Sequence, residues 1–209
     1  MSGKFEVTGL FYETNGLKLR KFLDIKLSGT KQSKPQLMVV MMNPGSSYPL
    51  DGIENNTVPA VAKPDNTQSQ IMKVMEGASI EYARVLNLSD LRTPNSNALY
   101  KFLKSKESQL VDHSVFSPTR KSELNQLFIR NVPVIFGWGV NKALVPLAKK
   151  AIASLSTEQP LGIKKPNSEF SYYHPLPQIH SKQVEWVQHV TSQLTTHLRC
   201  RTQQSCAGY

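Results

Sequence analysis

Three polar clusters, each directly following an apolar run, hold the side chains in this sequence that could do chemistry. Asn43-Pro44-Gly45-Ser46 ends the unbroken run QLMVVMM, Asn87 closes the stretch that opens at Tyr82, and His174-Pro175-Leu176-Pro177-Gln178-Ile179 follows the aromatic stretch 170–173. A side-chain amide offers both a donor and an acceptor, so Asn43 and Asn87 suit the orientation of a water or the reading of a base edge. Neither titrates, so either would orient and polarise rather than take a proton outright. Histidine changes charge near neutral pH and can donate to a departing group. Pro44 keeps Asn43 out of the helical region, and Gly45 lets backbone approach a ligand closely. Each residue also has a plainer role. Asn43 would end a strand in a turn, Asn87 would cap a turn through Ser89 and Asp90, and His174 would be a structural or solvent histidine.

The elements that must position these groups follow from hydrophobic periodicity. Residues 5–13 and 17–27 alternate around Asn15-Gly16, the signature of a β-hairpin, here expected at the sheet edge and without chemistry. The run at 36–42 between Pro35 and Asn-Pro-Gly predicts a central strand buried on both faces, whose C-terminal end is where α/β folds bind ligands. A long irregular loop over 46–67 follows, and its polar members Asp51, Glu54, Asp65, Asn66 and Thr67 are candidates to face a site. Asn66 or Thr67 caps a helix that ends near Gly77, and this crossover returns the chain to a parallel strand over 82–88. If the two strands are neighbours, Asn43 and Asn87 share one edge. Further on, helices are expected over 97–104, 124–130, 142–155 and 182–197, and strands over 132–136 and 170–173. Trp138, between Gly137 and Gly139, reads as core.

Composition narrows the class. With 209 residues and 39% hydrophobic content the chain is long enough for one sizeable core, and it reads as a single domain over 1–198 with a disordered tail over 199–209. Cys200 and Cys206 are its two cysteines, too few for an iron–sulfur cluster or a structural zinc, and no signal peptide or membrane span is legible. The expectation is a cytoplasmic, membrane-free monomer with no metal or cofactor. A net charge of +10 and a pI near 9.6 point to a polyanionic partner, nucleic acid first.

In order along the chain, Asn-Pro-Gly after the first core strand, a strand ending in Asn87, an apolar strand ending in Gly-Trp-Gly and His-Pro-Leu-Pro after the last strand resemble the uracil-DNA glycosylase superfamily. The likeness covers roughly residues 36 to 190. MMNPG is similar to the first motif of the mismatch-specific uracil and thymine branch, and HPLP to the second motif of the classical enzymes, with Leu176 where those have serine. The layout also resembles a little-characterised bacterial and phage family with Asn-Pro-Ser in the first position.

The resemblance implies a three-layer α/β/α fold with a central, mostly parallel four-stranded sheet and an added N-terminal hairpin. It implies a monofunctional DNA glycosylase that hydrolyses the N-glycosidic bond of a flipped pyrimidine and leaves an abasic site. Asn43 would position the hydrolytic water, and His174 would stabilise charge on the leaving base. Asn87 would pair with the base edge, with Pro44, Gly45, Ser46 and Asp65 lining the substrate pocket. Gln178 and Ile179 would wedge into the base stack, flanked by Pro175, Pro177 and Lys182 as DNA contacts. Gly45 stands where classical enzymes have a bulky tyrosine, so a modified pyrimidine is expected over plain uracil, in base-excision repair or antiviral defence. No lysine matches a Schiff-base position, so lyase chemistry is not expected. Two other classes compete: a non-catalytic nucleic-acid binding module, and an enzyme acting on free nucleosides or nucleotides. The high charge argues against the latter.

Overall fold

The computed structural model describes residues 4–54, 57–155 and 159–206. The N-terminal hairpin pairs β1 (Phe5–Thr14) with β2 (Leu17–Leu27) about Asn15 and Gly16, whose φ of 50° and 72° are what a tight hairpin turn demands. The central strand β3 (Leu37–Met41) is buried at every position. Each of its side chains contributes roughly 1.5–3 kcal/mol by leaving water, which fixes its register between two apolar layers.

Behind β3 the chain runs through the two-residue strand β4 (Ala60–Val61) into helix α1 (Asn66–Gly77), then strand β5 (Tyr82–Asn87). Asp65, rather than Asn66 or Thr67, caps α1. Its carboxylate accepts from the Gln68 N–H at 3.0 Å while Gln68 reaches back to the Asp65 N–H at 3.1 Å, a reciprocal capping box. Next come α2 (Ser96–Leu103), the single turn α3 (Glu107–Leu110), α4 (Lys121–Leu127), strand β6 (Val134–Phe136), α5 (Val145–Leu155) and the long closing helix α6 (His180–Cys206).

The six strands form one mixed sheet in the order β4-β1-β2-β5-β3-β6. β5, β3 and β6 are parallel, whereas β2 joins β5, and β4 joins β1, antiparallel. One sheet face packs Ile71, Val74 and Met75 of α1 against Trp186, Val190 and Leu194 of α6. The other packs Leu99 and Phe102 of α2, Leu124 of α4 and Ala148 and Ala151 of α5.

The central parallel sheet, expected to have four strands, has three, β5, β3 and β6, in a sheet whose other pairings are antiparallel, and three more expectations are revised. The stretch 170–173 is no ladder strand: Tyr172 makes isolated bridges to Gly139 and Lys164. Its neighbours are loops, and its backbone bonds divide between Gly139 on one side and Ile163 and Lys165 on the other. The tail expected to be disordered continues α6 as far as Cys206, helped by Leu198 against the core and by Arg201, which donates to the Asn131 carbonyl at 2.6 Å; residues 207–209 lie outside the described residues. The loop over 46–67 is organised, again excepting 55 and 56, which are not described. It lies along β1 through β4, and Arg92 holds it by bonds to the Ser47 carbonyl at 2.9 Å and to Glu54 at 2.5 Å.

Candidate active site

Because β3 and β5 are parallel with Met41 opposite Asn87, Asn43 and Asn87 emerge at the same edge of the sheet. A cavity of about 410 Å³ opens there, within the usual range of ligand pockets. Among the residues that line it are Asn43, Pro44, Gly45, Ser46, Asp65, Asn87 and His174. Every residue that the resemblance assigns to catalysis or to the substrate therefore meets in one place, from four separate stretches of chain; of the other loop candidates Asn66 and Thr67 join them, whereas Asp51 and Glu54 do not line the cavity.

The hydrogen-bonding state of each group is defined. Asn43 spends both amide hydrogens on backbone carbonyls, Leu91 at 3.1 Å and Thr93 at 2.8 Å, which leaves Oδ1 as its available acceptor. Those carbonyls belong to the turn after β5, so the turn holds the Asn43 side chain from behind. His174 accepts from the Leu176 N–H at Nδ1, 3.2 Å away. That bond assigns the proton of the neutral ring to Nε2. Burial depresses the His174 pKa below its ordinary 6.5, against the pull of the Asp65 carboxylate. Asn87 is fully buried; its Oδ1 accepts from Arg20 Nη2 at 3.0 Å and its Nδ2 has no partner.

Gly45 adopts a φ of +65°, and a Cβ built on it would lie 2.8 Å from Asp65 Oδ2. The room expected beside Gly45 for a substituent on the base is thus taken by a carboxylate. The glycine is required by an approach within the protein, as well as by the left-handed backbone.

The Pro-rich loop divides by exposure. Pro175 is buried and its Cδ lies 3.3 Å from where a Gly137 Cβ would stand, so it braces the loop instead of facing solvent. Leu176 lines the cavity. Gln178 and Ile179 project at the start of α6, Ile179 with 63% of its surface exposed. Gln183 ties the loop back by donating to the Pro177 carbonyl at 2.7 Å, and exposed Lys182 pairs with Glu185 at 2.7 Å. Trp138 is core, with its Nε1 donating to the Phe170 carbonyl at 2.8 Å, and it also borders the cavity.

The sequence reading missed Arg20, Gln68, Thr93, Ser96 and Tyr100, all of which line the cavity. Arg20 comes from β2, so the hairpin, expected to be free of chemistry, contributes to the lining of the cavity. Among the described residues no helix is long and apolar enough to cross a membrane.

Fold and site define an α/β domain with a cavity of mixed polar and apolar lining at the C-terminal edge of its parallel strands. The chain belongs to the family described as a protein of unknown function, DUF1643, whose model matches residues 22–176. That span begins in β2 and ends at Leu176, so Asn43, Asn87 and His174 all fall inside it. No curated protein and no solved structure matches the chain.

Proposed function

We propose that this protein is a monofunctional DNA glycosylase of the uracil-DNA glycosylase type, its helices covering both faces of the sheet in the three-layer manner of that fold. It hydrolyses the N-glycosidic bond of a flipped pyrimidine, in repair or in defence against foreign DNA. One observation carries the reading: Asn43 and His174 face the same cavity in complementary hydrogen-bonding states, one with a free acceptor and the other with a free donor.

The reaction needs that pair. Water oxygen bonds to C1′ as the C1′–N bond breaks, and the electron pair of that bond leaves with the base. Asn43 Oδ1 holds the water by one of its hydrogens and aims its lone pair, a contribution of positioning. The water's second proton passes to solvent, and the departing base is protonated in turn. His174 Nε2–H donates to the base carbonyl on which negative charge collects. A neutral imidazole is the right form, because it supplies a donor without surrendering its proton. The net charge of +10 suits a DNA substrate, and exposed Ile179, three residues beyond the cavity-lining Leu176, suits an apolar wedge that holds an extruded base out of the stack.

The test is incubation with DNAs of different base content, phage DNA included, followed by alkali to break the chain at abasic sites. Wild-type protein should release base from at least one of them. Asn43→Ala should do so at least about a hundredfold more slowly, as when a preorganised catalytic group is lost. The comparison requires a folded variant, because the substitution also frees the Leu91 and Thr93 carbonyls, a cost of about 1–2 kcal/mol. Intact DNA in every case, or a folded alanine variant with full activity, would refute the proposal.

A further inference from the structure

The pairing of β1 with β2 runs regularly from Phe5 opposite Leu27 to Leu10 opposite Phe22, then skips Lys21, so that Phe11 stands opposite Arg20. Directly opposed residues of an antiparallel pair point to the same side of the sheet. Phe11 belongs to the core beneath α1 and α6, whereas Phe22 belongs to the opposite core. The bulge at Lys21 therefore turns Arg20 away from the Phe22 side and delivers it to the cavity, with only 1% of its surface exposed.

The guanidinium is incompletely satisfied there. Nη2 donates to Asn87 Oδ1, but Nε and Nη1 of Arg20, and Nδ2 of Asn87, are buried without partners. Among the described residues no carboxylate forms an ion pair with Arg20, although Asp65 borders the same cavity. Buried donors without acceptors are costly, and a buried unpaired cation more so. A ligand that brings acceptors relieves the first cost, and the second in part, by solvating the cation.

We propose that Arg20 and Asn87 determine base specificity by reading the inner edge of a cytosine-type base, whose N3 and O2 are acceptors, in preference to uracil or thymine, whose N3–H is a donor. The assignment rests on the glycosylase reading above. Arg20 already engages the Asn87 carbonyl, so the pair presents N–H groups to the ligand, and an N3–H would meet donors. The carboxylate in the cavity, Asp65, suits the exocyclic amino group that the cytosine type alone carries. Neither residue need touch the sugar or the attacking water. Arg20 and Asn87 select the base, while Asn43 and His174 act on the bond.

Binding tests this apart from turnover. Fluorescence anisotropy would compare Asn43→Ala protein on single-stranded oligonucleotides of adenine that differ in one central residue: cytosine, 5-methylcytosine, uracil or thymine. The cytosine types should bind roughly tenfold to a hundredfold more tightly, the range that one good base-edge pairing provides. Adding Arg20→Met should bring the four within about twofold of one another, with folding checked by thermal melting, because the loss of a buried unpaired charge is set against the loss of the donor to Asn87 Oδ1. If Arg20→Met does not fold, Arg20→Lys, which keeps the charge but loses the planar fork, should still reduce the preference. Uracil or thymine bound as tightly as cytosine would overturn the proposal, as would a preference that survives Arg20→Met. Excision by wild-type protein from the same four oligonucleotides separates the two readings. A cytosine preference in binding, with no base released from these oligonucleotides or from phage DNA, would leave the specificity intact and remove the glycosylase. Release of uracil without a cytosine preference would do the reverse.

Discussion

Replacing Gly45 by alanine strikes the point where the first motif meets the start of α1, and its cost can be worked out in parts. The backbone there has a φ of +65°, and alanine in the left-handed region costs about 1–2 kcal/mol. The new Cβ would lie 2.8 Å from Asp65 Oδ2, so the carboxylate must move. It cannot move and still accept from the Gln68 N–H at its present 3.0 Å, and losing an N-cap costs about 1 kcal/mol. Gly45→Ala should then destabilise the fold by about 2–3 kcal/mol. Asp65→Ala alone should cost about 1 kcal/mol, by removal of the cap. The double variant should lose the cap only once, so its cost should fall about 1 kcal/mol short of the sum. Urea unfolding of the four proteins, with midpoints compared at a common slope, measures the cycle. Additivity to within about 0.5 kcal/mol would mean that Gly45 and Asp65 do not press on one another, and the account of why glycine stands there would be wrong.

Three further outcomes are expected. Burial depresses the pKa of His113, His174 and His197 alike, so through these three groups the folded protein binds fewer protons than the unfolded chain just below pH 6.5, opposed only by Asp90, which burial raises to about 6. Stability should decline as pH falls through that window and stay flat above it, and excision should follow the same shape through His174; an activity that rises on acidification would count against a neutral His174. Gln178→Ala with Ile179→Ala should slow excision from duplex by roughly tenfold or more and leave single strands nearly unaffected, because only a duplex must be held open. Single-turnover release from matched substrates measures this, and equal losses would return the loop to ordinary packing. DNA affinity should fall steeply as salt is raised, since phosphate contacts release counterions. A flat titration would point instead to a free nucleoside substrate.

The central strand and its two asparagines were legible because each signal was local. A fully apolar run bounded by prolines gives β3, and parallel pairing then forces Asn43 and Asn87 to a shared edge. Arg20 was not legible. In the alternation of LKLRKF it falls with Lys18 on what reads as the outer face, and only a bulge, which leaves no mark in the periodicity, turns it inward. Residues 170–173 carry strand-forming side chains, but their neighbours turned out to be loops, and pairing partners are a tertiary property. The role of Gly45 depended likewise on Asp65, twenty positions away, whose carboxylate occupies the space that the glycine leaves.

The packing of α1 on α6 has a mechanical consequence. Gln70 meets Gln183 at 3.3 Å, and a Cβ on Gly77 would come within 2.7 Å of the Thr191 methyl, so the helices lie side by side and run the same way, with no space between them at that second contact. The N-terminal end of one carries Asp65, at the cavity; the N-terminal end of the other carries Ile179, exposed. Joined at these two contacts, the helices would carry a push on one tip to the other. Stacked bases bearing on Ile179 would thereby load Asp65, and the entry of DNA would set the shape of the pocket that receives the base. Gly77→Val, which prises the helices apart far from either tip, should then weaken the dependence of excision on Ile179 more than it weakens excision itself. A Gly77→Val protein in which Ile179 matters as much as before would show that the tips move independently.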